Sequence, residues 1–376
     1  MLFHQIIGQE QVKSRLIQSI HHSRISHTQL FLGPEGSGAL PLAVAYAQMI
    51  NCLNPAETDS CGVCSSCVKF EKLIHPDLHF TFPTIAIDKK KVSNDFIESW
   101  RKAFIENPYI SELQWLLTLD DEGKKQGNIT AEECRDVIRK VGLKSYEAKY
   151  KTIIVWMPEY MRQEGNILLK LLEEPPEKTL ILLVGQDAEK VLATILSRAQ
   201  TIRIPHLSDD AIAQHLIDSF QADKQEAETI ARVAEGNLVM ARSLMDAGRS
   251  DYNELFAEWM RACYMGKIPE INRLIDKISG TGREFIKSFI AYGLHMLRAV
   301  LLSRHADDGL IRLSSAEREF IRKFTIVFDD HNIEEISGML NQTAFHIERN
   351  ADLKITFLNL SLYISRRLIR QKAASN

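Results

Sequence analysis

With 376 residues the chain exceeds one ordinary hydrophobic core, and two or three domains are expected. Apolar residues make up 45% and charged residues 25%, the balance of a soluble globular protein. The net charge of −3 excludes a global drive toward nucleic acid, so any such contact needs a local basic face or partner subunits.

The first residues, MLFHQIIGQEQVKSRL, lack the basic start, apolar core and small-residue cleavage site of a signal peptide, and a cytoplasmic protein is the expectation. Gln9 to Ile20 sets Val12, Leu16, Ile17 and Ile20 on one helical face. TQLFLG then reads as a buried strand that runs into GPEGSGAL, Gly33 to Leu40. A phosphate-binding loop reads G-x-x-x-x-G-K-[ST], where the glycines free backbone N–H groups, the lysine reaches phosphate and the hydroxyl holds Mg²⁺. Gly33 and Gly38 keep that spacing, with Gly36 between them, but the lysine position is Ala39 and the hydroxyl position is Leu40. A helix from about Leu42 to Met49, with Pro41 in its first turn, completes the strand–loop–helix context. The shape of the loop is retained and its chemistry is missing.

Four of the six cysteines follow closely: Cys52, Cys61, Cys64 and Cys67, spaced C-x8-C-x2-C-x2-C. C-x2-C turns gather thiolates into the tetrahedron that zinc prefers, and a set of four thiolates makes a closed, structural site. Two disulfides or incidental thiols are the other readings, the first disfavoured by a cytosolic setting. Cys134 and Cys263 fall in helical patterns and read as ordinary buried thiols. The segment from about Asp88 to Asn128 is the least legible; KKKVSNDFIESW and DDEGKKQG suggest an inserted helical excursion with charged loops and no assignable role.

KTIIVWMP (Lys151 to Pro158), TLILLVGQ (Thr179 to Gln186) and TIRIP (Thr201 to Pro205) are further strand candidates, the first two followed by helical patterns. Such alternation argues for a mostly parallel sheet covered on both faces, in a domain ending near Pro205. An ATPase needs an acid at the end of its second strand to hold Mg²⁺, and here Trp156 and Met157 stand there. Glu159 lies three residues late, after Pro158, and is a weak substitute better read as the start of the next helix. Lysine, hydroxyl and acid are absent together, which points to a non-hydrolysing site. The glycines could still form an anion-binding nest, but an uncompensated triphosphate favours an empty loop kept for packing.

Beyond Pro205 no strand is expected. Ser208 caps DDAIAQHLIDSF, a second helical pattern runs to Val233, and Gly236-Asn237 breaks it before another helix. From Tyr252 the pattern is helical throughout. Leu255, Phe256, Trp259, Met260 and Cys263 share one face, as do Phe285, Phe289, Tyr292, Met296 and Val300, and both stripes read as core. FIKSFIAYGLHMLRAVLL is interrupted by Lys287, His295 and Arg298 and suits a helix packed on one side better than a membrane span. ITFLNLSLYISRRLIRQ is an amphipathic helix with a basic tip. Lys89-Lys90-Lys91 and Arg366-Arg367 read as solvated faces rather than phosphate contacts.

IIGQEQVKSRL, HTQLFLGPEGSG, CGVCSSC with IHPDLH, NILLKLLEEPPEKTLILLVG and ATILSRAQTIRIP follow one another in order. Over about Phe3 to Pro205 this resembles the delta-prime subunits of bacterial DNA polymerase III clamp loaders, in the AAA+ superfamily. The resemblance implies an α/β AAA+ fold, a RecA-like parallel sheet with flanking helices, followed by a helical lid and an all-α C-terminal collar domain. The boundaries expected are 1–205 for the AAA+ domain, with a zinc module at about 52–67, 206–248 for the lid and 249–376 for the oligomerising collar. It further implies a pentamer with gamma/tau- and delta-type subunits that loads the sliding clamp onto primed DNA as an accessory to the polymerase, away from membranes.

In such loaders the delta-prime subunit is often a stationary member that does not hydrolyse ATP, which would make Gly33, Gly36 and Gly38 a vestigial loop. The Ser-Arg-Cys motif of the family corresponds to Ser197-Arg198-Ala199 and would offer Arg198 in trans to ATP on a neighbour. Read from spacing alone, Arg198 is equally a surface or salt-bridged arginine ending a helix. The second-sensor arginine falls near Val239, which cannot contact phosphate, and nearby Arg242 is not the matching position. The alternatives are an atypical AAA+ ATPase using a displaced lysine and Glu159, and a sequence-independent DNA-binding module.

Overall fold

The computed structural model describes residues 1–87, 91–120, 125–246, 249–281, 283–305, 315–325, 328–348 and 351–374. Lys89 and Lys90 of the basic run, residues 121–124 of DDEGKKQG and residues 247–248 at the end of the expected lid therefore lie outside it. The chain forms two compact units, Met1–Ala211 with Gly236–Val239, and Ile212–Glu235 with Met240–Asn376.

The first unit is built on strands β1 (Thr28–Leu32), β2 (Leu78–Thr81), β3 (Lys151–Trp156), β4 (Thr179–Gly185) and β5 (Gln200–Arg203). Their order is β2-β3-β4-β1-β5 and every pairing is parallel. The three inner strands are near-continuous apolar runs because helices cover both of their faces. Strand alternation divides the core. Phe31, Ile154, Trp156, Leu180, Leu182 and Val184 join one cluster, and Leu30, Ile153, Val155, Ile181 and Leu183 join the other.

On the first face lie α1 (Glu10–His21), α2 (Ala39–Ile50), α3 (Ser65–Glu71), α4 (Ile97–Glu106) and α5 (Glu112–Leu119). The second face is covered by α6 (Ala131–Gly142), a 3-10 stretch Pro158–Leu168, α7 (Leu169–Glu173) and α8 (Ala193–Leu196). The expected parallel sheet with flanking helices is present. Two details differ from the sequence reading. β2 is a further strand, Leu78–Thr81, hydrogen-bonded to β3 in the register Leu78 with Thr152. The helix after the glycine loop starts at Ala39 rather than Leu42, because Gly38 takes a left-handed conformation (φ 90°) and turns the chain straight into α2.

The segment between β2 and α6 carries α4 and α5, joined to the sheet through aromatic packing. Trp100 is fully buried, stacked on Phe82 at 4.4 Å between ring centroids and set against Trp115 at 5.1 Å and Trp156 at 5.0 Å. Trp115 donates its indole N–H to the Pro83 carbonyl at 2.8 Å. These contacts fix the insertion to the end of β3.

The second unit holds most of α9 (Asp209–Phe220), whose first turn is capped by the Ser208 hydroxyl accepting from the Ala211 N–H at 3.2 Å. It continues with α10 (Lys224–Val233), most of α11 (Leu238–Asp246), α12 (Arg249–Met265), α13 (Ile268–Ser279) and α14 (Arg283–His305). α15 (Ser315–Phe324), α16 (Asp330–Glu348) and α17 (Leu353–Ala374) end it, with no strand among the described residues. Phe256, Trp259, Phe289, Tyr292 and Phe357 form its aromatic centre, where Trp259 donates to the Ser361 hydroxyl at 2.9 Å. Phe285–Arg304 is long and apolar enough to cross a membrane by composition, but Phe289, Tyr292, Met296 and Val300 are buried in this core.

The insertion's anchor sets a stability test. Trp100→Ala is expected to cost about 3–5 kcal/mol, the usual result of emptying a buried aromatic site. Urea unfolding followed by far-UV circular dichroism measures it, and a loss below about 1 kcal/mol would contradict the packing described.

Candidate functional site

β1 delivers the chain to the glycine loop, where the Gly33 N–H donates to the Gly185 carbonyl at the end of β4 (3.1 Å). Gly36 (φ 75°) has no room for a side chain, since a Cβ there would lie 2.2 Å from Asn237 Oδ1 and 2.5 Å from the Leu238 nitrogen. Asn237 Nδ2 in turn donates to Glu35 Oε1 at 3.4 Å. Over Gly38 lies Tyr109, from the turn between α4 and α5. Its ring carbon stands 3.1 Å from where a Cβ on Gly38 would be, and its hydroxyl accepts from the Ile7 N–H at 2.9 Å.

Tyr109, Ile110 and Trp156 narrow the space in front of the loop, which is left as a half-open cavity of about 30 Å³. Ala39 and Leu40 line it, and its one charged lining side chain is the acid Glu35. Among the described residues no lysine or arginine lines it.

At the end of β3, Trp156 is buried against Trp100, and Met157 takes a left-handed conformation (φ 59°) while donating its N–H to the Val184 carbonyl at 2.8 Å. Glu159 lies in the 3-10 stretch, as its place after Pro158 suggests. Its Oε1 accepts from the Gln186 and Asp187 N–H groups at 2.5 and 2.9 Å, so the carboxylate holds the chain as it leaves β4. Oε2 is buried without a partner among the described residues. Burial raises its pKa against the opposing pull of those N–H bonds.

The four cysteines gather as a separate cluster, with all four Sγ atoms within 4.8 Å of one another. Cys61 Sγ and Cys67 Sγ are 3.9 Å apart. Four sulfurs around a metal at about 2.3 Å would be separated by about 3.8 Å, so the donor set fits a tetrahedral ion. Backbone N–H groups point at the sulfurs: Cys61 N to Cys52 Sγ (3.3 Å), Cys64 N to Cys61 Sγ (3.3 Å) and Cys67 N to Cys64 Sγ (3.4 Å). The last of these also caps α3. For Cys64, burial opposes ionisation but the Cys67 and Leu53 N–H groups outweigh it and lower the thiol to about 6. Burial first, then the Cys64 and Cys52 thiols, raises Cys67. These four residues could hold a metal ion. Cys134 and Cys263 are buried elsewhere, where desolvation raises their thiols to about 11 and about 12 and makes them unreactive.

Arg198 follows α8 and lines neither the cavity nor the cysteine cluster. Its Nε donates to Glu173 Oε1 at 2.7 Å, Nη2 stands 2.5 Å from the same oxygen, and Nη1 donates to the Thr194 carbonyl (2.9 Å) and the Ser197 hydroxyl (3.1 Å). Val239 is buried. Arg242, in the second unit, donates through Nε to His215 Nε2 at 3.3 Å. Burial and then the Arg242 charge lower His215 to about 4. Sequence reasoning missed Tyr109, Asn237 and Glu173. Each meets its partner from a distant part of the chain, and no local pattern marks them.

Residues 8–208 match the family model described as "DNA polymerase III, delta subunit". The chain is 24% identical over 308 residues to the Haemophilus influenzae DNA polymerase III subunit tau/gamma, an alignment covering 80% of this chain and 37% of that protein. It is 27% identical over 250 residues to the Bacillus subtilis DNA polymerase III subunit delta', covering 66% of this chain and 61% of that one. The chain thus spans less than two thirds of the length of these curated relatives. A solved Thermotoga maritima DNA polymerase III gamma subunit-related protein aligns over 95% of this chain and 99% of its own, with a TM-score of 0.39 and 14% identity, a likeness too loose to bear on the assignment. With more than half of its residues inside the family match, the chain belongs to the DNA polymerase III delta-subunit family of that model.

Proposed function

We propose that the chain is a delta-prime-type clamp-loader subunit that hydrolyses no ATP itself and acts on ATP held by a neighbour. The observation that carries this reading is the small cavity over the glycine loop, about 30 Å³, lined by Ala39 and Leu40 and by no cationic side chain among the described residues. A triphosphate there would find neither room nor a counter-charge, and Trp156 and Met157 offer no ligand for Mg²⁺. An atypical ATPase would need a lysine or arginine at the loop. Gly33, Gly36 and Gly38 are on this reading retained as architecture.

Arg198 is the group that works in trans. A guanidinium supplied to a neighbour's γ-phosphate stabilises charge in the transition state and is worth about 10³–10⁵ in rate. In this scheme 1–205 is the AAA+ domain, 206–248 a helical lid and 249–376 a collar that joins gamma/tau- and delta-type subunits in a pentamer. Sliding clamp and primer-template DNA are engaged through the assembled cytoplasmic complex, as an accessory to the DNA polymerase. The net charge of −3 gives little support to autonomous DNA binding. Cys52, Cys61, Cys64 and Cys67 hold a structural zinc, which would supply folding energy to the module at 52–67 and no reaction chemistry.

Three tests follow the three parts of the reading. Ala39→Lys alone is expected to gain no ATP binding, whereas Ala39→Lys with Tyr109→Ala gains saturable, magnesium-dependent binding to a fluorescent ATP analogue. Tight binding by the single variant would contradict closure by Tyr109. Arg198→Ala in the reconstituted complex is expected to lower turnover at the one adjoining site about 10³-fold while that site still binds ATP. Unchanged turnover would sink the trans role. Elemental analysis of chain purified without chelator should find one zinc per chain, lost in Cys64→Ser together with thermal stability. Zinc retained by that variant would exclude the four-thiolate site.

A further inference from the structure

The hydrogen bonds around Arg198 restrict what it can do. A guanidinium has five N–H donors. Here Nε and Nη2 both face Glu173 Oε1, and Nη1 serves the Thr194 carbonyl and the Ser197 hydroxyl, which leaves one N–H of Nη2 uncommitted. The edge formed by Nε and Nη2 is one that can grip two oxygens of a phosphate at once, and it is occupied. The Glu173 carboxylate also cancels the positive charge that would attract a triphosphate.

Glu173 is the last residue of α7, within the run LLKLLEEPP, and comes from a different element than the arginine it holds. The two Nη1 contacts are made within the turn of α8 itself, so they direct the side chain whether or not Glu173 is present. The pair is open to solvent, with 29% of the Arg198 side chain and 48% of the Glu173 side chain exposed. Pairs so exposed bias an equilibrium by only about two- to fivefold. A γ-phosphate, with more charge and more acceptor oxygens than a carboxylate, displaces such a partner.

We propose that Glu173 is a latch for Arg198, a positioning residue that holds the guanidinium against its own subunit and releases it to a neighbour's triphosphate. The proposal rests on the reading of Arg198 as a group acting in trans. It adds a regulatory step to that reading: the finger has two seats, and the carboxylate sets the exchange between them. Removing the carboxylate frees the bidentate edge and leaves the direction of the side chain to Thr194 and Ser197.

The test uses the reconstituted complex with its gamma/tau- and delta-type partners and follows steady-state ATP turnover without clamp or DNA. Glu173→Gln keeps the side-chain shape at a half-exposed position and is expected to raise kcat about two- to fivefold with KM unchanged. In an Arg198→Ala background the same substitution is expected to change nothing. An unchanged or lower kcat in Glu173→Gln, beside a fall in Arg198→Ala, overturns the latch and spares the trans role. An effect of Glu173→Gln that persists without Arg198 also overturns the latch. If Arg198→Ala leaves turnover unaltered, the latch and the trans role fall together.

Discussion

The ring of Tyr109 lies over Gly38 of the glycine loop, and the proposed inability of this loop to take a nucleotide depends on that placement. That one placement ties together parts distant in sequence. The Tyr109 hydroxyl accepts from Ile7, its ring packs on Gly38, and the turn that carries it is held by α4 and α5. α4 and α5 are in turn fixed by Trp100 and Trp115 against Phe82 and Trp156. Trp156 stands where an ATPase would hold its metal, so the residue that removes the acid also anchors the segment that fills the site.

The electrostatics are consistent with this division. Among the described residues nothing cationic lines the loop cavity and Glu35 is its charged neighbour, which supports the proposed exclusion of a polyanion. The arginine that carries the proposed chemistry sits on a short turn after α8, half open to solvent and held by groups that a phosphate can outbid. The cysteine cluster lies apart from both, and the role proposed for it is to supply order rather than reactivity. Its N–H···S bonds arrange the sulfurs before any ion arrives.

Much of this was legible in the sequence where physics acts locally. The three inner strands are long apolar runs because both their faces are covered, and the close spacing of Cys52, Cys61, Cys64 and Cys67 anticipates their four sulfurs lying within 4.8 Å of one another. The loss of lysine, hydroxyl and acid can be read from Ala39, Leu40 and Trp156 alone. β2 escaped because LHFT is only four residues long at the sheet edge, its polar His79 breaking any apolar run. The start of α2 was misplaced because Gly38, not Pro41, decides it. Tyr109 and Glu173 were invisible for a different reason: each matters through one long-range contact. LLKLLEEPP and Ser197-Arg198-Ala199 were both recognisable as motifs, but only the fold brings Glu173 within 2.7 Å of Arg198.

The central claim is that this subunit carries the shape of an ATP site without its capacity. Its most direct test is an equilibrium titration of the unaltered chain with ATP and Mg²⁺, followed through tryptophan emission, since Trp156 lines the loop cavity and packs against Trp100. The account predicts no saturable change up to millimolar nucleotide. A saturable, magnesium-dependent signal at micromolar nucleotide would contradict it and would show that Tyr109 yields to the ligand.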